Sequence, residues 1–359
     1  MTRKVFTSHN NTDKPAAGTL DHGTAEPLCR RTVEAQERAL GPEHPDTLSS
    51  ISNLAALLKA KGDHAGAELL FRRALEARRR VLGPEHPDTL ASLNNLAALL
   101  DDKGDHAGAE PLHRRALEAC GRVLGPEHPG TLASLNGLAG LLKSKGDHAA
   151  AEPLFRWALE GRERVLGPEH PDTLGSLNNL AALLKSKGDY AAAERLHRQA
   201  LEALERVLEP EHPDTLGSLS NLAALLDDKG DHAGAEPLHR RALEACGRVL
   251  GPEHPGTLAS LNGLAGLLKS KGDHAAAEPL FRWALEGRER VLGPEHPDTL
   301  TSLNNLAALL EAKGDHAGAE PLFRRALEAR ERVLGPEHPN TFNSRKNLAV
   351  LLKSKGASA

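Results

Sequence analysis

The chain has 359 residues, a formal net charge of −4 and only 3% aromatic side chains. Basic and acidic residues are interspersed without a basic stripe, which argues against nucleic acid as the main ligand. So few aromatics leave a core to be built from Leu and Ala, suited to close-packed helices, and no run nears the ~18 apolar residues of a membrane span.

The three cysteines, Cys29, Cys120 and Cys246, lack paired spacing. That fits a reducing compartment better than a disulfide framework. The opening MTRKVFTSHNNTDKPAAG has no apolar run of the kind a secretory signal carries. The expected location is the cytoplasm.

Residues 1–19 are polar, include Pro15 and Gly18 and show no helical period, so a disordered tail is expected there. Leu20 to Gly41 matches the second half of a unit that then recurs. Its loop, GPEHPDTL at Gly83 to Leu90, returns with its histidine at His44, His86, His128, His170, His212, His254, His296 and His338, in steps of 42 residues. A fixed period of this length marks stacked repeats in which each unit contacts its neighbours. The expected organisation is a half repeat, seven full repeats and a terminal helix over 20–356, with a short tail over 357–359.

One unit shows why each repeat is a helix pair. Pro87 suits a first helical turn, where its missing N–H would be unpaired anyway. Asp88 favours the positive end of the helix dipole. Leu93, Leu96, Ala97 and Leu100 follow at i, i+3, i+4 and i+7, one apolar face. Gly104 ends this helix and Asp105 is placed to cap the next. The second helix carries Ala109, Leu112, His113, Ala116, Leu117 and Cys120 on its apolar face, with Pro111 early enough to be tolerated. Small residues at Ala97, Ala109 and Ala116 allow close approach.

A helix pair with these small residues and a Gly104 turn resembles the tetratricopeptide repeat. The usual unit there has 34 residues. The longer second helix, the Pro-containing loop and the Asn94-Asn95-Leu96-Ala97 run are similar to the variant in kinesin light chains. The resemblance covers about residues 20–356 and implies an all-α, right-handed superhelical solenoid whose first helices line a concave surface. Two departures stand out. The aromatic frequent in the second helix is Phe71, Phe155, Phe281 and Phe323 but His113, His197 and His239 elsewhere. The Tyr after the Gly-Asp turn is kept only at Tyr190.

The last helix carries Arg345 and Lys346 where earlier units begin their apolar face, as a capping repeat would. Above the 42-residue period sits a second: Asn95 to Leu174 is identical to Asn221 to Leu300. Segmental duplication explains this, and any surface on one block exists again on the other. Two copies on one scaffold would favour a repetitive or dimeric partner.

By the resemblance, Ala91, Asn94, Ala98 and Asp101 face the groove. The equivalents of Asn94 are Asn136, Asn178, Asn262 and Asn304, which clamp the backbone of an extended peptide, as the resemblance to kinesin light chains implies, or bond neighbouring helices, or do both at once. Asn95, Asn179, Asn221 and Asn305 point about 100° away and read as structural. At the groove edge Lys59, Lys143, Lys185, Lys269 and Lys353 alternate with Asp101, Asp227 and Glu311. That mixture suits either a ligand of mixed charge or a solvated face. Trp157 and Trp283 occupy a position that elsewhere accepts Arg, so they are exposed, either as binding anchors or lying on their own helices.

Of the nineteen histidines, eight belong to the loop and seven to the turn, in register with the repeat and not at a metal-ligand spacing: there is no HExxH or CxxC. The loop histidines are placed to cap the following helices. No phosphate loop, GxGxxG or GxSxG is present, and a near-uniform array supplies no singular catalytic geometry. The expected function is non-catalytic binding of protein or peptide ligands in the groove, without cofactor, metal, nucleic acid or membrane. The alternatives are a regulatory or sensor module acting with a separate NTPase, or a passive spacer or self-assembling stack. The sequence leaves the partner and the oligomeric state open.

Overall fold

The computed structural model describes residues 22–357, so the expectations for residues 1–19 and for residues 358–359 lie outside the described residues. Eight first-type helices open with the loop proline: α2 (Pro45–Ala60), α4 (Pro87–Asp102), α6 (Pro129–Ser144), α8 (Pro171–Ser186), α10 (Pro213–Asp228), α12 (Pro255–Ser270), α14 (Pro297–Ala312) and α16 (Pro339–Ala357). Eight second-type helices alternate with them: α1 (His22–Leu40), α3 (His64–Val81), α5 (His106–Val123), α7 (His148–Leu166), α9 (Tyr190–Val207), α11 (His232–Val249), α13 (His274–Val291) and α15 (His316–Val333). No strand occurs among the described residues.

The repeated loop builds both caps. Each loop histidine before α2 to α14 is the N-cap of the first helix, its Nδ1 accepting from the backbone N–H two residues on, as at His86 to Asp88, 3.2 Å. The glycine turn then stops the helix. Gly104, at φ +76, bonds back to the Asp101 carbonyl at 2.8 Å, and Asp105 N–H to Leu100 O at 2.8 Å. This pair of bonds is a Schellman closure, which needs a left-handed residue. Asp105 in turn caps α5 by accepting from Gly108 N–H at 2.9 Å.

Leu93, Leu96, Ala97 and Leu100 are buried, as are Ala109, Ala116 and Cys120 of the facing helix. Fully buried alanines at both faces let helix axes approach, so Leu and Phe side chains close the remaining gaps. Each helix packs on the one before and the one after. Successive first helices also touch from α4 onward, and successive second helices do not come as close. The stack therefore curves, with first helices on the inner face.

Outside, charges tie repeat to repeat. Glu68 of α3 accepts from Arg72 on its own helix at 2.7 Å and from Lys103, which ends α4, at 2.5 Å. The same trio recurs at Glu110, Arg114 and Lys145 and at Glu236, Arg240 and Lys271. The lysine hydrogen bond holds the Glu68 carboxyl below its usual range. The curvature brings distant repeats together as well: the loop at His296 lies against the turn at Gly62.

Candidate functional site

The inner surface is a succession of first helices, and its polar residues form a seam between them. Asn94 donates from Nδ2 to Ser134 Oγ on the next first helix at 2.7 Å. Asn136 reaches Ser176 at 3.1 Å, Asn262 reaches Ser302 at 2.8 Å, and Asn304 reaches Ser344 at 3.3 Å. Asn178 differs: its Oδ1 accepts from His197 Nδ1 at 2.8 Å. The five asparagines are half-buried or buried, and Oδ1 of Asn94, Asn136 and Asn262 is buried without a partner. The asparagines thus bond neighbouring helices.

From behind, arginines join the same hydroxyls. Arg162 donates to Ser176 Oγ at 2.7 Å and to Asp172 O at 3.0 Å, and Arg288 to Ser302 Oγ and Asp298 O at 2.9 Å each. Arg78, Arg288 and Arg330 are buried, and burial lowers their pKa. Helical spacing could not reveal this seam, because its members come from three helices 14 and 40 residues apart.

Lys59, Lys143, Lys185 and Lys269 lie half-buried at the ends of the inner helices, and Lys353 is exposed. Lys59 pairs with Asp102 at 2.7 Å, and Lys185 pairs with Asp228. Among the described residues Lys143 and Lys269 make no ion pair, and burial lowers the pKa of both amines, against a smaller upward pull of Glu311 on Lys269. The groove-edge acids Asp101 and Asp227 are engaged by His106 at 2.9 Å and His232 at 2.8 Å. Beside Lys269 an open hollow of about 260 Å³ is lined by Asp227, Gly266, Lys269, Ser270, Phe281 and Asn305. Asn95, Asn179 and Asn221, in register with Asn305, are exposed. Sequence reading set that column aside as structural, yet Asn305 lines the hollow.

The three histidines that replace phenylalanine are core residues, 2–4% exposed. Burial pushes the pKa of His113 and His197 down to about 4, and that of His239 downward. All three rings are neutral near pH 7. Gly137 makes room for His113: a Cβ there would stand 2.7 Å from its Cε1. Trp157 and Trp283 lie on the outer helices, 47% and 48% exposed. Among the described residues no three His, Cys, Asp or Glu side chains gather as a metal-ligand set, and no helix is long and apolar enough to cross a membrane.

A model of the tetratricopeptide repeat matches overlapping segments from residue 18 to 290, and a second such model matches 299–340. The chain belongs to the tetratricopeptide-repeat family. Members of this family generally mediate protein–protein interaction and are typically non-catalytic. Among solved structures, this tetratricopeptide-repeat chain is similar to the nearly identical repeats of a candidate kinesin light chain from Podosopora anserina. There the identity is 27% and the TM-score 0.50, over 57% of this chain and 97% of that one. The apo form of RapI matches at 16% identity and TM-score 0.57, covering 80% and 98%. A tetratricopeptide-repeat protein from Parabacteroides merdae matches at 18% and 0.53, covering 85% and 98%. The last two likenesses concern the fold alone. No match was found among curated proteins.

Proposed function

We propose that the chain binds extended segments of partner proteins along its inner surface, as a non-catalytic adaptor or scaffold. The observation that carries this reading is that Lys143 and Lys269 are half-buried amines with no ion pair among the described residues, and that Lys269 lines a small hollow between inner helices. A partly desolvated ammonium without a counter-ion gains most when a ligand supplies one. The ligand expected is therefore an extended segment with acidic side chains set between backbone amides. Lys185 would join by exchanging Asp228 for such a carboxylate. Asn305 and its exposed counterparts Asn95 and Asn179 offer donor and acceptor groups to peptide backbone. Asn94, Asn136, Asn178, Asn262 and Asn304 already bond neighbouring helices, so they rank behind the lysines.

Lys143 and Lys269 occupy identical blocks three repeats apart, which supports a repetitive or dimeric partner held at two places by effective concentration. Free cysteines, two of them buried, accord with a cytoplasmic setting. The test is a pull-down from native lysate with the parent and with Lys143→Ala, Lys185→Ala, Lys269→Ala combined, after circular dichroism shows the variant folded. Partners held by the parent and lost by the variant support the groove. Partners held equally by both move the site to the outer helices or loops.

A further inference from the structure

The contact between successive superhelical turns is built from parts that every repeat carries. His296 accepts from Asp298 N–H at Nδ1, 3.1 Å, which puts its proton on Nε2. That Nε2–H points away from its own helix and donates to the Ala60 carbonyl at 3.0 Å. Ala60 ends α2, where carbonyls have no partner within the helix. The loop also closes over the turn: a Cβ on Gly62 would stand 3.0 Å from Pro297 Cδ and 3.1 Å from His296 Cδ2. One repeat on, His338 does the same, its ring bonded to the Asp102 backbone and its Cδ2 2.7 Å from a Cβ on Gly104. His296 and Ala60 are 236 residues apart, about 5.6 repeats of 42, and His338 and Asp102 keep the same separation.

Both halves of this contact recur unoccupied. At Gly146, Gly188, Gly230, Gly272 and Gly314 the turn has the same left-handed conformation, and a Cβ would meet nothing within 4 Å. His44, His86, His128, His170 and His212 use Nδ1 as a cap in the same way, and their Nε2 makes no hydrogen bond among the described residues. One edge of the superhelix thus offers terminal carbonyls over open glycine turns. The opposite edge offers outward imidazole N–H groups.

We propose that these edges bind a second copy of this chain, the loops of one copy seated on the turns of another. The argument is continuity: the two surfaces already meet within one chain, and the unoccupied ones repeat their sequence. The contact joins unlike surfaces and does not close on itself, so further copies add in line. Each loop contributes little and several engage in register, so strength comes from multiplicity. Arg345 stands where the buried Leu303 would be and pairs with Glu331 at 2.8 Å, while Phe342, Val350 and Leu352 of the same helix are exposed. The edges carry the proposed association, and the loop and turn variants separate it from end-on packing of α16. Peptide binding uses the inner surface, so neither proposal depends on the other.

The test is sedimentation velocity on the full chain from micromolar to millimolar concentration. The parent should gain mass with concentration. A variant with Gly146, Gly188, Gly230, Gly272 and Gly314 changed to Asn should stay monomeric, because Asn tolerates the left-handed region while its side chain blocks the incoming loop. Changing His44, His86 and His128 to Asn keeps an N-cap but removes the outward N–H. It should move association to several-fold higher concentration, and this variant decides the matter if the glycine variant fails to fold. A parent that stays monomeric throughout, or variants that associate as the parent does, would overturn the proposal.

Discussion

At the residue scale, the polar groups buried in the stack set its pH response. His113 holds a pKa near 4 against an ordinary 6.5 because burial disfavours its charged ring. Above pH 6.5 the ring is neutral in both folded and unfolded chains, and the shift costs nothing. As pH falls from 6.5 to about 4 only the unfolded chain takes up the proton, so stability is lost across that window, by roughly 3 kcal/mol for His113. Changing His113 and His239 to Phe, the residue at Phe71 and Phe281, should flatten urea-derived stability between pH 7 and 5. A pH slope equal to the parent's would contradict the assignment. A second site concerns the backbone: Glu209 sits at φ +76 where the other loops have glycine. Glu209→Gly should raise stability by about 1 kcal/mol, read by denaturant melting. Repeat register revealed the histidine-for-phenylalanine exchange, but not that Gly137 and Gly263 are shaped around His113 and His239, because the partners lie in different repeats.

At the scale of the element, helix boundaries were legible because each is written in local chemistry: proline and aspartate at the start, glycine at the stop. The loop histidine is the working cap. His170→Ala should therefore destabilise the chain by about 1 kcal/mol, while His170→Asn restores most of the loss; equal effects in thermal melts would argue against the capping bond. The seam of Asn136, Ser176 and Arg162 was not legible. A helical wheel places Asn136 on the inner face but is silent about a hydroxyl 40 residues on that meets it. The lysine–glutamate bridges also escaped sequence reading, since charged pairs 35 residues apart become neighbours only through the rise from one repeat to the next. Several glutamates held low by lysine hydrogen bonds add a second loss of stability, as pH falls below the ordinary carboxylate range.

Over the whole molecule, the 42-residue period announced a stack, yet the closing of one superhelical turn on the next is a sum of small rotations that no single repeat encodes. The bond of His296 to Ala60 tests it. Changing His296 and His338 to Asn keeps both caps and removes both outward N–H groups, so X-ray scattering should report a larger radius of gyration at unchanged helix content. An unchanged radius would mean that backbone geometry alone sets the pitch. The central claim, that the inner surface takes an extended segment, is tested most directly by calorimetric titration of a peptide selected on the chain from a display library. With Lys143 and Lys269 changed to Ala, Kd should rise about tenfold or more, near 1.4 kcal/mol. With Trp157 and Trp283 changed to Ala on the outer helices, it should stay within twofold. The reverse pattern, binding lost with the tryptophans and kept without the lysines, would contradict the account.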